Sequence, residues 1–164
     1  MPREQELFPK TIFCIDASAL INLMPRGRDI YRRDVFPTIW NKLEDMIRNG
    51  ELIASLEVYK EIKAVSDKIY DWCKSNKVMF KDIDECQRQK LQEVEKQYDK
   101  NYWKNENNKE VWADPWVMAL SLCEDAIIVT DEKNTQNRIP AITSMLGLKC
   151  LGLLDFFKKI GIKY

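Results

Sequence analysis

Short apolar runs alternate along this chain with longer segments in which apolar residues recur every three or four positions. The clearest runs are residues 12–15 and 126–130, and each is followed at once by a carboxylate, Asp16 or Asp131. Runs of this length are typical of strands in a parallel sheet that is covered on both faces. The longer segments, such as residues 37–50, have the spacing of amphipathic helices. Strands that alternate with helices predict an α/β fold with a central, mainly parallel sheet of four to five strands.

The predicted elements follow one another without a linker of domain scale, so we expect a single domain over residues 1–164. Pro and Gly residues mark the turns between them. We predict strands at 12–15, 51–54, 78–80, 126–130 and 149–152, and helices at 17–23, 37–50, 55–65, 66–76, 111–122, 141–147 and 153–162.

One segment departs from this alternation. Residues 82–110, called the polar arm below, are rich in charged and amide side chains and contain neither Gly nor Pro. We interpret the polar arm as a charged helical insertion, with a solvated helix followed by a polar turn at 104–110. A solvated surface is the simpler interpretation. The alternative is an arm that contacts a substrate or a partner through Tyr102 and Trp103.

The composition is typical of a soluble globular protein. Apolar residues make up 45% of the chain and charged residues 32%, and Lys plus Arg equal Asp plus Glu at 26 each. A strongly basic nucleic-acid-binding module is therefore not indicated. The first ten residues are charged, and no segment approaches the roughly 18 apolar residues of a membrane span. We expect a cytoplasmic protein without a membrane partner.

The histidine and cysteine content narrows the chemistry. The chain has no His, which excludes Ser-His-Asp and Cys-His catalysis. Its five Cys residues are scattered and contain no CxxC pair, so a structural zinc site is not expected. We interpret them as reduced core thiols of a cytoplasmic protein. Carboxylates remain as the expected catalytic groups.

Asp16, at the carboxyl end of the first predicted strand, has two interpretations. It can cap the helix that follows, as Ser18 also can, and such a cap stabilises a helix by about 1 kcal/mol. It can also be a metal ligand, since open α/β sheets place their chemistry at the carboxyl ends of their strands. Taken alone, the residue favours the cap.

Four acidic positions fall where this architecture would bring them together. Asp16 and the pair Asp131/Glu132 each follow a parallel strand, and such strands end at the same edge of a sheet. Glu61 lies on the helix after the second strand, and Asp114 opens the helix before the 126–130 strand. Carboxylates gathered without a counter-ion repel one another, and a hard divalent cation such as Mg²⁺ or Mn²⁺ neutralises them. Metal-assisted hydrolysis of a phosphodiester fits this chemistry.

Four motifs carry a resemblance to a known family: IDASALI, SLEVYKEI, WADPWVMALSL and AIIVTDEK. In content and order they resemble the PIN-domain family of metal-dependent nucleases, which includes the VapC-type toxins of toxin–antitoxin pairs. The resemblance covers essentially the whole chain and implies a three-layer α/β/α PIN-like domain. The polar arm and the stretch YRRDVFPTIW depart from the smallest PIN toxins and indicate a larger PIN-like branch.

The resemblance also implies roles for individual residues around one or two Mg²⁺ or Mn²⁺ ions. The fourth acid is ambiguous, because the family's Val-Thr-x-Asp spacing selects Glu132 whereas Asp131 is the only Asp available; we favour Glu132. The predicted catalytic residues are Asp16, Glu61, Asp114, Glu132 and Asp131, with Asp16, Asp114, Glu132 and Asp131 as metal ligands and Ser18 and Thr130 as supporting residues.

The implied function is that of a Mg²⁺-dependent endoribonuclease that leaves a 5′-phosphate, acting as the toxin of a type II toxin–antitoxin pair. The family further implies a homodimer and a cognate antitoxin that blocks the site. Five basic residues are candidate contacts to RNA phosphates, with a solvated loop as the alternative for at least half of them: Arg26, Arg28, Arg32, Arg33 and Lys133.

Two other functions stay open. One is a non-catalytic PIN-like module that binds RNA or a protein without cutting. The other is a phosphatase of the haloacid-dehalogenase type, which also places an Asp after its first strand. That class requires a second Asp two residues later, and this chain has Ser18 there.

Overall fold

The computed structural model describes residues 10–25, 30–65 and 68–162. Within these ranges the chain forms five strands and nine α-helices. In chain order they are β1 (Phe13–Ile15), α1 (Ala17–Leu23), α2 (Pro37–Arg48), β2 (Leu52–Ser55), α3 (Leu56–Val65), α4 (Lys68–Ser75), β3 (Phe80–Lys81), α5 (Glu85–Glu95), α6 (Lys100–Asn107), α7 (Asp114–Glu124), β4 (Ile127–Val129), α8 (Ile139–Leu146), β5 (Cys150–Leu151) and α9 (Leu153–Lys159).

All five strands are parallel and lie in the order β3-β2-β1-β4-β5. β1 is central, and its Cys14 lies opposite Ile53 of β2 and Ile128 of β4. The chain builds one half of the sheet from β1 to β3 and then continues on the other side of β1 with β4. The winding direction therefore changes between β1 and β4, where sheets of this kind open a crevice at their carboxyl edge. The three-layer α/β/α prediction is confirmed.

Helices bury the central strands. Every residue of β1 and β2 is buried, and α7 packs against β1, β2 and β4. Phe156 of α9 is fully buried and lies 5.0 Å from Phe13 of β1, measured between ring centroids. Burying such a side chain stabilises the fold by about 2–3 kcal/mol. No helix among the described residues has both the length and the apolar composition needed to cross a membrane.

Most predicted elements are confirmed with boundaries shifted by three residues or fewer. The strand predicted at 78–80 is the exception, because Lys77–Met79 forms a 3-10 turn and β3 follows it at Phe80–Lys81. Val78 is 69% exposed while Met79 is buried, so this apolar run winds through a turn. The first two residues of the helix predicted at 66–76 lie outside the described residues.

The polar arm forms two helices where one solvated helix was predicted. Each begins at an aspartate cap: Asp84 accepts a hydrogen bond from the Gln87 backbone N–H (2.9 Å), and Asp99 accepts one from the Tyr102 backbone N–H (3.0 Å). Because α6 extends to Asn107, the polar turn predicted at 104–110 is wrong for its first four residues. The Asp residues at the two caps were the sequence signal for this second helix.

The polar arm is also attached to the rest of the domain. Val94 and Tyr98 are buried, and α5 packs along α7. A disulfide between Cys86 and Cys123 joins these two helices, with their Cα atoms 6.1 Å apart. The interpretation of the polar arm as mainly solvated therefore overlooked one packed face.

The disulfide shows that the prediction of five reduced core thiols is wrong for Cys86 and Cys123. Their separation of 37 residues does not reveal that their helices lie side by side. Cys14, Cys73 and Cys150 are free, and burial raises the pKa of Cys14 and of Cys73 to about 12. Because disulfides are rare in reducing compartments, the cysteines no longer support the predicted cytoplasmic location.

One ion pair predicts a pH dependence of stability. The Glu44 carboxylate accepts hydrogen bonds from both terminal nitrogens of Arg33 (2.7 and 2.6 Å) and from Trp72 Nε1 (3.0 Å). Chiefly through the Arg33 hydrogen bond, these contacts lower the pKa of Glu44. A carboxyl group with a lowered folded-state pKa stabilises the protein above its unfolded pKa, and the contribution is lost as the pH falls through the folded value.

We therefore expect Glu44→Gln to lower the free energy of unfolding by about 1 kcal/mol or less at neutral pH, since Arg33 is half exposed and solvent screens the pair. The difference from the wild type should shrink below about pH 4. Urea unfolding at both pH values measures it. A difference that is equal at the two pH values would show that the ion pair does not contribute.

Candidate active site

Two neighbouring strand ends define the candidate site. Asp16 follows β1, and Thr130, Asp131 and Glu132 follow β4, at the point where the winding of the sheet changes direction. The Asp16 backbone N–H donates to the carbonyl oxygen of Val129 (3.0 Å), which fixes the two ends side by side. Asp16 is only 1% exposed.

Asp16 is held by three donors. Its Oδ1 accepts hydrogen bonds from the Ala19 backbone N–H (2.9 Å) and from Ser18 Oγ (2.8 Å), and its Oδ2 accepts one from Thr130 Oγ1 (2.5 Å). The first of these contacts is the helix cap of α1. The two hydroxyls lie where supporting residues were predicted to lie. Ser18 Oγ also lies 3.0 Å from Oδ2, so both oxygens of Asp16 have donors and a cation bound to this carboxylate would have to replace at least one of them.

Burial sets the charge state of Asp16. It raises the pKa of this carboxyl group to about 7, against the opposing effect of the hydrogen bonds from Thr130, Ala19 and Ser18. The charge of Glu132 raises the pKa further. Near neutral pH the carboxyl group is therefore poised between its neutral and its charged form.

Asp114 and Glu132 are two further carboxyl groups of the site, and they affect each other electrostatically. Burial raises the pKa of Asp114 well above its usual value, and Glu132 raises it further through its charge and through a hydrogen bond between the two carboxyls. Asp16 and Glu61 add to the same effect. Burial and the negative charge of its neighbours thus favour the protonated form of Asp114.

Glu61 joins this group from helix α3. Its Oε1 accepts a hydrogen bond from the backbone N–H of Ala113 (2.8 Å), the residue directly before Asp114. Burial raises the pKa of Glu61, and the charge of Glu132 adds to it. We call Asp16, Glu61, Asp114 and Glu132 the acidic cluster. Its members come from four different parts of the chain, and Glu132 acts electrostatically on the other three.

The Asp131 carboxylate has hydrogen-bond partners outside the acidic cluster. Asp131 is exposed, and its carboxylate accepts hydrogen bonds from the Leu153 backbone N–H (2.8 Å) and from Asn22 Nδ2 (2.7 Å). The neighbouring Glu132 is half-buried, and its Oε2 accepts one from the Ile139 backbone N–H (3.1 Å). Of the two candidates for the fourth acid, Glu132 is the one placed with the acidic cluster.

The donor set of the acidic cluster suits a hard divalent cation. Carboxylate oxygens are the preferred ligands of Mg²⁺ and Mn²⁺, and a cation relieves both the burial of charge and the mutual repulsion of these groups. Within the described ranges, no group of three or more Asp, Glu or Cys side chains already has the arrangement of a metal-binding set. The charge of Glu132 still raises the pKa of the other three carboxyl groups, and a cation would have to draw the four closer together.

The basic residues that are candidate contacts to RNA phosphates differ in their surroundings. Arg32 forms an ion pair with Asp34 (2.6 Å), Arg33 is bound to Glu44, and Lys133 is exposed. Arg26 and Arg28 lie outside the described residues. The guanidinium groups of Arg32 and Arg33 thus already have carboxylate partners.

Sequence reasoning missed Arg138, in the turn between β4 and α8. Its side chain is exposed, and its charge lowers the pKa of both Tyr98 and Tyr102 against the larger, raising effect of burial. The available signal was a cation in the polar turn that follows the strand-end acids, directly before the helix that contains Pro140.

The parallel strand order, with acids at the central strand ends, is that of a PIN-like α/β/α fold. Residues 13–164 match the family described as a domain of unknown function, DUF4411, and the chain belongs to that family. No curated protein matches the chain.

Three solved structures are similar to it. VapBC-1 from nontypeable Haemophilus influenzae aligns with a TM-score of 0.50 and 15% identity, over 88% of this chain and 99% of that one. VapBC2 from Rickettsia felis, bound to a DNA fragment from its promoter, gives 0.49 and 14% over 87% and 98%. PAE2754 from Pyrobaculum aerophilum gives 0.49 and 13% over 94% and 99%. At these identities the likeness concerns the fold alone.

Proposed function

We propose that this protein is a Mg²⁺- or Mn²⁺-dependent endoribonuclease whose acidic cluster is the catalytic site. The observation that supports the proposal is the gathering of four carboxyl groups at the carboxyl edge of the sheet, where the charge of Glu132 raises the pKa of the other three. Burying and crowding acidic groups costs stability, and such a cost is typical of functional sites.

Within this proposal each residue has a distinct task. Asp16, Asp114 and Glu132 hold one or two ions, and Glu61 completes the cluster while its hydrogen bond to Ala113 fixes the start of α7. Ser18 and Thr130 orient the Asp16 carboxylate through their hydroxyl groups. When bound there, a divalent cation would supply polarisation of a phosphoryl oxygen and activation of water. By family resemblance the cleavage product carries a 5′-phosphate.

The toxin assignment is a further part of the proposal. PIN-domain resemblance and the likeness of fold to the two VapBC structures support a toxin of a type II toxin–antitoxin pair. A cognate antitoxin, a homodimer and a cytoplasmic location are proposed on the same basis.

Metal-dependent cleavage tests the proposal directly. The full chain, freed of metal with a chelator, is incubated with a mixture of structured and unstructured RNAs in Mg²⁺, in Mn²⁺ and in EDTA. We expect cleavage with either metal. In EDTA the cleavage rate should fall by a factor of roughly 100 or more, because a bound cation supplies several kcal/mol of transition-state stabilisation. An exonuclease that requires a 5′-phosphate identifies the product end.

The other outcomes discriminate between the alternatives. A wild-type protein that is inert in both metals on varied RNAs would reject the nuclease and favour the non-catalytic PIN-like module. Hydrolysis of a generic phosphomonoester, with RNA left intact, would instead favour the phosphatase.

A further inference from the structure

Four aromatic side chains pack together beside the acidic cluster. We call Tyr98, Tyr102, Trp103 and Trp112 the aromatic cluster. The ring centroid of Tyr98 lies 5.3 Å from Trp103 and 5.3 Å from Trp112, and Tyr102 stacks on Tyr98 at 6.0 Å with an angle of 9° between the rings. Tyr98 is buried, while the other three rings are half-buried. Trp112 lies two residues before Asp114, which places this surface at the edge of the candidate active site.

The Tyr98 hydroxyl has no hydrogen-bond partner among the described residues, although it is fully enclosed. Buried polar groups are nearly always paired, because leaving one unpaired costs free energy. Tyr98 lies 5.3 Å from Trp112, which is two residues before Asp114, and the charges of Asp114 and Glu132 add to the effect of burial in raising the pKa of Tyr98. The Tyr98 hydroxyl is thus a hydrogen-bond donor that has no acceptor among the described residues.

The residues on either side of Arg138 are hydrogen-bonded to the start of α6 and to the acidic cluster. The Asp99 backbone N–H donates to Asn137 Oδ1 (3.0 Å), which ties the turn to the start of α6 and the aromatic cluster. On the other side, the Ile139 backbone N–H donates to Glu132 Oε2 (3.1 Å). Among the described residues no acidic side chain pairs with the exposed guanidinium of Arg138. An unpaired cation beside aromatic rings and catalytic acids suits the phosphate of a nucleotide.

We propose that Arg138 and the aromatic cluster hold an unpaired nucleotide of the RNA next to the cleaved bond. The guanidinium binds the phosphate, and the half-buried rings of Tyr102 and Trp103 stack on the base. Stacking of this kind requires bases whose faces are free, which specifies single-stranded RNA as the substrate class. The inference rests on the proposed ribonuclease function and deepens it.

The Tyr98 hydroxyl completes this assignment. A phosphate oxygen drawn to Arg138 offers the acceptor that the hydroxyl lacks. The hydroxyl is enclosed in the unliganded protein, so the phosphate meets the exposed Arg138 first and reaches Tyr98 only after side chains at this edge move.

Binding in the absence of metal separates this inference from the cleavage reaction. We would measure fluorescence anisotropy of a short labelled single-stranded RNA, and of the same RNA in a duplex, with the full chain in EDTA. The wild type is expected to bind the single strand roughly tenfold more tightly than the duplex, and Arg138→Gln or Tyr102→Ala to weaken single-strand binding roughly tenfold. Arg138→Lys, which keeps the charge but loses the forked geometry, should fall in between.

Arg48→Gln is the matched control. Arg48 is an exposed arginine at the end of α2, directly before β2 and hence at the opposite, amino edge of the sheet. Its loss should leave RNA binding unchanged. Thermal unfolding of every variant establishes that it is folded, and Tyr98→Phe should unfold at the wild-type temperature or above while binding RNA more weakly, since it loses no partner within the described protein.

The outcomes are distinct. Unchanged single-strand affinity in folded Arg138→Gln, equal binding of single strand and duplex, or no RNA binding by the wild type would each overturn the subsite, whatever the cleavage assay shows. Binding that depends on Arg138 in a protein inert with both metals would overturn the ribonuclease proposal and leave the subsite standing.

Discussion

Replacing Asp16 with Asn is expected to lower the rate of RNA cleavage roughly 100-fold or more, because a neutral amide is a poor ligand for the metal that the reaction requires. Asn has the same shape and can still accept the hydrogen bond from the Ala19 backbone N–H, so α1 keeps its cap. Cleavage of an unstructured RNA in Mn²⁺ measures the effect.

The same substitution should also change how stability depends on pH in metal-free buffer. Burial raises the pKa of Asp16 to about 7, so the folded state holds this proton more tightly than the unfolded chain does. The stability that this proton confers is complete below about pH 4 and is lost as the pH rises through about 7. Asp16→Asn lacks that loss and should be more stable than the wild type at pH 8, by on the order of 2 kcal/mol.

Asp45→Asn provides the control for both measurements. Asp45 is an exposed carboxylate on α2 that pairs with Arg48, on the side of the sheet away from the acidic cluster. The Asp45→Asn protein should cleave RNA at the wild-type rate and keep the wild-type dependence of stability on pH. Full activity of a folded Asp16→Asn protein would refute the assignment of the acidic cluster as the catalytic site.

The second large effect distinguishes two adjacent residues. Glu132→Gln is expected to lower cleavage roughly 100-fold and to weaken the stabilisation of the protein by Mn²⁺, since Glu132 acts on all three other members of the acidic cluster. Asp131→Asn should keep its activity within about threefold of the wild type. It should cost about 1 kcal/mol of stability, because the charged acceptor of the Leu153 N–H and of Asn22 becomes neutral.

Cleavage rates and the Mn²⁺-induced shift of the unfolding temperature measure the two variants side by side. Each serves as the control for the other, because both remove one negative charge from the same turn. The reverse order of activities would assign the fourth acid to Asp131.

The central part of the fold was predictable because its signals are local. The runs 12–15 and 126–130 are mainly apolar, lie side by side in the sheet, and are followed within two residues by Asp16 and Glu132 of the acidic cluster. Pro37 and Pro115 opened helices as their fixed backbone angle favours. Even Ser18 and Thr130, whose supporting roles remain predictions, were found in contact with Asp16.

What escaped prediction depends on contacts between distant residues. The resemblance favoured Glu132 over Asp131, but the different surroundings of the two side chains depend on the path of the turn to α8, which includes Asn137 with its left-handed φ of 63°. The pairing of Cys86 with Cys123 requires α5 to lie along α7, and the polar face of α5 gives little sign of this. Arg138 acquires its significance only from the tyrosines across the turn.

The disulfide between α5 and α7 closes a covalent ring in the chain. That ring contains α5 except for its first residue, all of α6, the whole aromatic cluster and Asp114. A shortened protein without the polar arm would lose Cys86 and Tyr98 together, and would leave Cys123 with a free thiol on the helix that begins at Asp114. Conversely, a single proteolytic cut inside the ring would leave both pieces linked until a reductant is added. Genetic trimming of the arm and enzymatic nicking of it are therefore very different operations on this protein.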